Sequence, residues 1–419
     1  MPAPTSTFHR VAGGLALVAA AAGPLTGCSS LLDVELPTRV PAQTLDNPQL
    51  AATLVAGAVG DFECALTNYI TATGLLGDEL IESTGWIAVF TWDQRRIFSN
   101  NGNLASGTCV DLGYGIFTPL QTARYQAEDA IRRITAFPDA DVPNKPVLLA
   151  TAAAYAGYAY TLLGEGFCEM TVDVGPLMPP ADVLRKAEAQ FTTAISLATT
   201  ANNADILNMA RVGRARVRLD LGKNAEAATD ARAVPAGYAK NASRSTANER
   251  RWNRTYAEGQ RNFYISVDPR FRNLTVGGAP DTRVGTADAG RNGHDGVTRV
   301  WFQRKYLSES APVPIATWRE AQLIIAEAEG GQAAVDAINR LRTLATLPQF
   351  SRTDPAEIRA QVREERRREL FLEGHRFNDL LRFNLPFDTG VNHKGVDYGD
   401  TKCLPLPDAE RLNNPNTNK

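Results

Sequence analysis

Three carboxylates, Glu365, Glu369 and Glu373, recur every fourth residue late in the chain. On a helix that spacing puts them along one face. Paired carboxylates can hydrolyse a glycosidic bond when one keeps its proton as general acid and the two flank the sugar at a defined separation. Arginines crowd the same stretch, however. Arg366, Arg376 and Arg382 can return to the glutamates from the helix and from the segment beyond it, with Asp379 among them. Guanidinium groups at that density hold carboxylates ionised and remove the acid. The reading is a structural ion-pair network of Glu365, Arg366, Glu369, Glu373, Arg376, Asp379 and Arg382, with no catalytic residue.

Other reactive groups add little to the case for an enzyme. His375 follows a helix stop, but no Ser or Cys near it sits in a nucleophile motif, so it reads as a packing or hydrogen-bonding histidine. His294 and His393 lie in Gly/Asn-rich loops without a partner at zinc-ligand spacing. Asp288, Asn292 and Asp295 could offer oxygens to calcium, yet their spacing misses an EF-hand loop. The sequence has no Walker loop, GxSxG elbow, HExxH or CxxC. No metal, no cofactor and no enzymatic activity are expected. The 44 Lys and Arg nearly cancel the 46 Asp and Glu, which argues against a nucleic-acid partner.

The cysteines carry more information. Val11 to Ala22 is an uncharged Ala/Leu/Val-rich run after a short polar start, the length of a signal-peptide core and too short to span a bilayer. Leu25-Thr26-Gly27-Cys28 follows and looks like a lipobox. Residues 1–27 therefore read as a lipoprotein signal peptide, with Cys28 as the acylated new N-terminus and lipid anchor. Ser29 and Ser30 lack the acidic residue expected for inner-membrane retention, so an outer membrane is expected. No later run is expected to reach the ~18–20 apolar residues of a spanning helix. Cys64, Cys109, Cys168 and Cys403 form an even set in an oxidising compartment and so two disulfides, for which three connectivities exist. Cys64 with Cys109, flanking one non-helical insertion, and Cys168 with Cys403, in turn-rich segments, are favoured.

The elements that would position these groups are mostly α-helical. Beyond a tether at 28–44, apolar spacing predicts helices over Leu45–Leu66, Ile116–Phe137, Pro146–Leu163, Ala181–Ala198, Ile206–Leu221 and Ala225–Val234. Three more follow at Ile315–Glu329, Gln332–Leu344 and Pro355–Glu373. The last opens with Asp354, Pro355 and Glu357 in a capping-box pattern and stops at Gly374. Small residues such as Ala210, Gly213, Ala215 and Ala227 permit close helix approach, a composition resembling degenerate tetratricopeptide hairpins. Helical periodicity fails over 67–115 and 235–314, and loops of that length usually carry function. They hold Trp86, Trp92, Trp252, Tyr256, Tyr264 and Trp301, the ligand-binding candidates. Aromatic faces stack on the C–H faces of sugars while Asn, Asp and Arg fix hydroxyls. Trp318, on a regular helix, is assigned to the core.

The run Arg363 to Arg382 resembles the C-terminal signature of SusD/RagB-type outer-membrane nutrient-binding lipoproteins, above all in Glu365-Arg366, Glu369-Leu370, Glu373-Gly374, Arg376, Asp379-Leu380 and Arg382. Trp318-Arg319-Glu320-Ala321, Ala337 to Arg342, Leu404 to Pro407 and Asn413 to Asn416 look like neighbouring segments of that family. The resemblance implies a single SusD-like domain over 28–419, a tetratricopeptide-like scaffold whose insertions form the ligand surface, with 315–419 as its signature region. It further implies a surface-exposed outer-membrane protein that captures nutrient, oligosaccharide or in some members peptide. The partner would be a SusC-like, TonB-dependent barrel transporter. A scaffold role in the cell envelope is the alternative from a different functional class.

Overall fold

The computed structural model describes residues 42–417; the leader, Cys28 and nearly all of the tether lie outside them. A short unit ends at Leu45 in a single 3-10 turn, and the remaining chain from Asp46 is one compact unit. Its first helices are α1 (Ala51–Leu76), α2 (Ile87–Asp93), α3 (Gly102–Ser106), α4 (Phe117–Ala136) and α5 (Lys145–Gly166). The series continues through α6 (Pro180–Thr200), α7 (Ala204–Asp220) and α8 (Asn224–Arg232), with a one-turn α9 (Arg254–Tyr256) further on. After the irregular region come α10 (Trp318–Glu329), α11 (Gly331–Leu344), α12 (Pro355–Glu369), α13 (Arg376–Arg382) and α14 (Asp408–Asn413).

Successive long helices pack on one another: α4 on α1 and α5, α6 on α5, α7 on α6, α8 on α7, and then α10 on α8. The protein is mostly α, with the tetratricopeptide-like order of stacked helices. The side chain of Phe191 on α6 shows why the small residues matter. A Cβ on Gly157 of α5 would come within 2.7 Å of the Phe191 ring, and one on Gly213 of α7 within 2.3 Å. The two missing side chains make the slot in which the ring joins three helices. Caps fix several starts: Asn203 accepts from the Ile206 amide, Thr317 from Glu320, and Asp354 from Ala356 and Glu357.

The strands are short and paired in twos. β1 (Leu80–Glu82) runs antiparallel to β3 (Ile265–Val267), with Glu82 opposite Ile265, while β2 (Ala239–Ala242) pairs with β8 (Val313–Thr317). A small β4–β5 pair lies at Thr275–Pro280, and β6 (Thr286–Asn292) pairs with β7 (Arg299–Gln303). The β1–β3 pair matters most, because it joins the two insertions.

Four expectations need correction. The first insertion does not begin at 67, because α1 runs ten residues further than Leu66. Its polar residues are buried with bonds of their own: the Thr71 and Thr73 hydroxyls donate to carbonyls one turn back, and the Asn68 amide nitrogen donates to the Gly115 carbonyl at 2.7 Å. Ile315–Thr317 is strand, with the helix starting at Trp318 on the Thr317 cap. The helix from Pro355 ends at Glu369 rather than Glu373, because the chain turns through Leu372 at φ 55° and leaves Glu373 in the turn beyond the helix. Two segments beyond the leader, Pro48–Leu76 and Lys145–Gly166, do reach the length and hydropathy of a membrane span. Alanine-rich interior helices pass the same test; α5 is buried from Ala152 through Gly166.

The structure joins Cys64 to Cys109 and Cys168 to Cys403, with Cα atoms 5.8 and 5.1 Å apart. The first ties α1 to the loop ahead of α4. The second ties the end of α5 to the C-terminal tail, where the Cys168 amide also donates to Leu404 and the Leu404 amide to Gly166.

Candidate ligand-binding face

The turn after β1 is built around a buried acid. Glu82 accepts the amides of Thr84 (2.8 Å) and Gly85 (3.0 Å), and the Thr84 hydroxyl accepts the Trp86 amide at 2.8 Å. Gly85 sits at φ 77°, in the left-handed region where a side chain is disfavoured. This turn delivers Trp86 to the start of α2 with 46% of its surface exposed.

Tyr264 arrives from the second insertion. The Ser83 amide donates to the Tyr264 carbonyl at 2.8 Å, and the Ser83 hydroxyl to the Phe263 carbonyl at 2.9 Å. These bonds extend the β1–β3 pairing by one step and set the Trp86 and Tyr264 rings 4.9 Å apart at 43°. His294 joins them, its ring 5.4 Å from that of Tyr264 and its Nε2 donating to the Asn262 carbonyl at 2.9 Å. The loop carrying His294 can approach because residue 293 is glycine; a Cβ there would lie 2.2 Å from the Ser83 carbonyl oxygen. Phe263 packs on Phe302 at 5.9 Å, with the Arg291 guanidinium 4.2 Å from the Phe263 ring.

One ammonium locks the two insertions together from behind. Lys394 contacts Glu82 and also Asp295, the latter at 2.6 Å. Burial opposes ionisation of Asp295, but Lys394, the Thr298 hydroxyl and two backbone amides outweigh it and bring its pKa to about 2. Asp93 and His393 complete this cluster. Burial and then the Glu82 charge push the Asp93 carboxyl well above the usual range, and burial lowers His393. Donor atoms of Glu82, Asp93 and His393 lie within 4.8 Å of one another, close enough for a cation. Lys394 already supplies a positive charge to this cluster through Glu82. Asp288 and Asn292 are likewise engaged, with Arg299 and with the Gly296 carbonyl.

Of the six aromatic candidates, only Trp86 and Tyr264 are brought together. Trp92 belongs to the core: it is fully buried, donates its indole N–H to the Gly113 carbonyl at 3.0 Å, and meets Tyr114 edge-on. Half-buried Trp252 is capped by Arg261 at 4.3 Å, which Glu309 holds. Half-buried Trp301 lies 5.3 Å from the Arg272 guanidinium, and Tyr256 packs on the main core. His294, weighed in the sequence only as a zinc ligand, and Phe263 and Phe302 are not among its ligand-binding candidates; the Gly/Asn-rich loop around His294 is the one available signal.

The ion-pair residues are engaged, but with other partners than the sequence suggested. Glu365 takes Arg283 (2.6 Å) and Arg342 (2.7 Å); Glu369 takes Arg319 (2.6 Å) and Arg283 (3.2 Å); Glu373 takes Lys305 (2.5 Å). Arg366 and Arg382 instead pair with Asp379 at 3.0 and 2.9 Å and approach Glu327, while Arg376 pairs with Asp78. One position along a helix turns a side chain by about 100°. Arg366 therefore faces α13 while Glu365 faces α11 and the 282–284 turn. His375 is buried beside Arg216, 3.2 Å away, and burial together with that charge keeps it neutral.

Residues 320–416 match the model of the SusD family. No curated protein matches the sequence. Solved structures similar to this chain include a SusD-like carbohydrate-binding protein from Bacteroides vulgatus, with TM-score 0.69 and 15% identity over 89% of this chain and 97% of that one. A SusD superfamily protein from Parabacteroides distasonis gives TM-score 0.69 and 13% identity over 90% and 99%. Surface glycan-binding protein A from Bacteroides fluxus gives TM-score 0.64 and 15% identity over 85% and 95%.

Proposed function

Because this chain carries the SusD-like fold and its C-terminal region is that of the SusD family, we propose that it is a surface glycan-binding lipoprotein of the outer membrane. Cys28 carries its lipid anchor, and the mature domain begins there. The protein captures oligosaccharide and passes it to a SusC-like, TonB-dependent barrel. The observation that carries this reading is exposed Trp86 set against half-buried Tyr264 with exposed His294 beside it, held by a buried network rather than by its own packing. An aromatic pair in water is a platform for the apolar face of a pyranose ring, and the neighbouring imidazole and Arg291 offer polar groups for its hydroxyls.

Binding rather than turnover fits the state of Glu365 and Glu369. Glu365 and Glu369 are each tied to two arginines, which leaves neither as a proton donor. Two relatives in the fold comparison are described as carbohydrate- or glycan-binding, in line with this reading.

The test is crosslinking and affinity purification of the lipidated protein from its native outer membrane, followed by a panel of neutral oligosaccharides and peptides. Recovery of a large TonB-dependent barrel with glycan binding is the expected result. Peptide binding alone would move the ligand class, and recovery of other envelope proteins without a barrel would replace uptake by a scaffold role.

A further inference from the structure

A cleft of about 670 Å³ shares no lining residue with the aromatic face. It lies between the β2–β8 pair, the start of α10 and the Glu369–Glu373 segment, and its volume is in the range of small-ligand sites. Four cations line it, Arg283, Arg304, Lys305 and Arg319, against two carboxylates, Glu369 and Glu373.

Those charges are not equally committed. Arg283 is buried and spent on Asp281, Glu365 and Glu369. Lys305 is spent on Glu373 and on the carbonyls of Glu369 and Phe371. Arg319 gives one nitrogen to Glu369 while its side chain stays 44% accessible. Arg304 is exposed, and among the described residues only its backbone amide has a partner, the Gly285 carbonyl; its guanidinium has none. Both carboxylates are thus answered from within the protein, while two guanidinium forks keep unused donors at the cleft.

Apolar surface faces the same space. Trp318, which the sequence placed in the core, is half-buried and lines the cleft with half-buried Tyr238, and Leu344 lines it with 54% of its surface exposed. A guanidinium fork matches a carboxylate in shape and charge, and an indole or leucine side chain matches the C–H face of a ring.

We propose that this cleft is a second binding site, for a carboxylate-bearing sugar. The acid is taken by Arg304 and Arg319, and the ring lies against Trp318. The assignment rests on the reading of the protein as a glycan receptor and names a ligand class for a site distinct from the aromatic face.

The test titrates the full-length protein, in detergent, with uronic-acid disaccharides and with the neutral sugars made by reducing their carboxyl groups. At least one uronate is expected to bind tenfold or more tightly than its reduced form. Arg304→Gln, at an exposed and unpartnered side chain, should weaken that uronate about tenfold and leave neutral-glycan binding intact. Equal affinity of acid and reduced sugar, no uronate binding, or indifference to Arg304→Gln overturns the proposal. Failure of the receptor reading would show separately, as the absence of any Trp86-dependent glycan binding.

Discussion

Lys394 is the residue on which the geometry of the aromatic face depends. Its ammonium answers both Glu82, which shapes the turn that presents Trp86, and Asp295, which anchors the loop that presents His294. Lys394→Met leaves two largely buried acids without their cation, and removing one partner of a buried pair costs about 3–5 kcal/mol. Chemical denaturation should show a loss of that order, and glycan affinity should fall with it; an unchanged midpoint would mean that the lysine is incidental. None of this was legible in the sequence, where Glu82, Asp295 and Lys394 are separated by more than 90 residues at the least. The same limit explains Trp92. It lies six residues from Trp86 in one insertion, and its interior place shows only in its contacts with the Gly113 carbonyl and the Tyr114 ring.

At the scale of elements, the C-terminal tail is held to the end of α5 by the Cys168–Cys403 bond and by the backbone exchange around Leu404. Replacing both cysteines by serine removes a constraint on a loop of 235 residues in the unfolded chain. The expected cost is about 2–4 kcal/mol, read from denaturation, with the tail beyond Leu404 becoming the first site of limited proteolysis. Unchanged stability and an unchanged cleavage pattern would show that the backbone contacts alone suffice. The helices from α4 to α8 could be read closely from apolar content and spacing, with α4 and α6 presenting one stripe to their neighbours and α5 buried on every side from Ala152 onward. The end of α1 could not, because Thr and Asn imitate a loop until their hydroxyls and amides are seen bonded to the helix and to Gly115. The acid–arginine motif was recognisable, whereas its partners were not: Arg283, Arg319 and Lys305 come from segments far from 365–373 in the chain.

The whole molecule folds around a large number of buried charges, which makes its stability depend on pH. Burial raises Glu79 to about 8, with the Asp78 charge adding to it, so this carboxyl stays protonated in the fold while it ionises near its ordinary value in the unfolded chain. Between the two values the folded state binds more protons, and this group's contribution to stability falls as pH rises from about 4.5 to about 8. The stability difference between wild type and Glu79→Gln should therefore shift against wild type across that interval. Parallel curves measured at pH 5, 6.5 and 8 would contradict the assignment. His375, held neutral by burial and by Arg216, acts with the opposite sign at lower pH, where protonation favours the unfolded chain.

The central claim is that glycan is captured on the aromatic face, and calorimetric titration of the full-length protein and of Trp86→Ala with one neutral oligosaccharide tests it most directly. Half of the Trp86 surface is open to a ligand, and stacking there is worth roughly 1–2 kcal/mol, on the order of a tenfold change in affinity. The account predicts a loss of at least that size with the fold intact by circular dichroism. Equal affinity of the two proteins would contradict it.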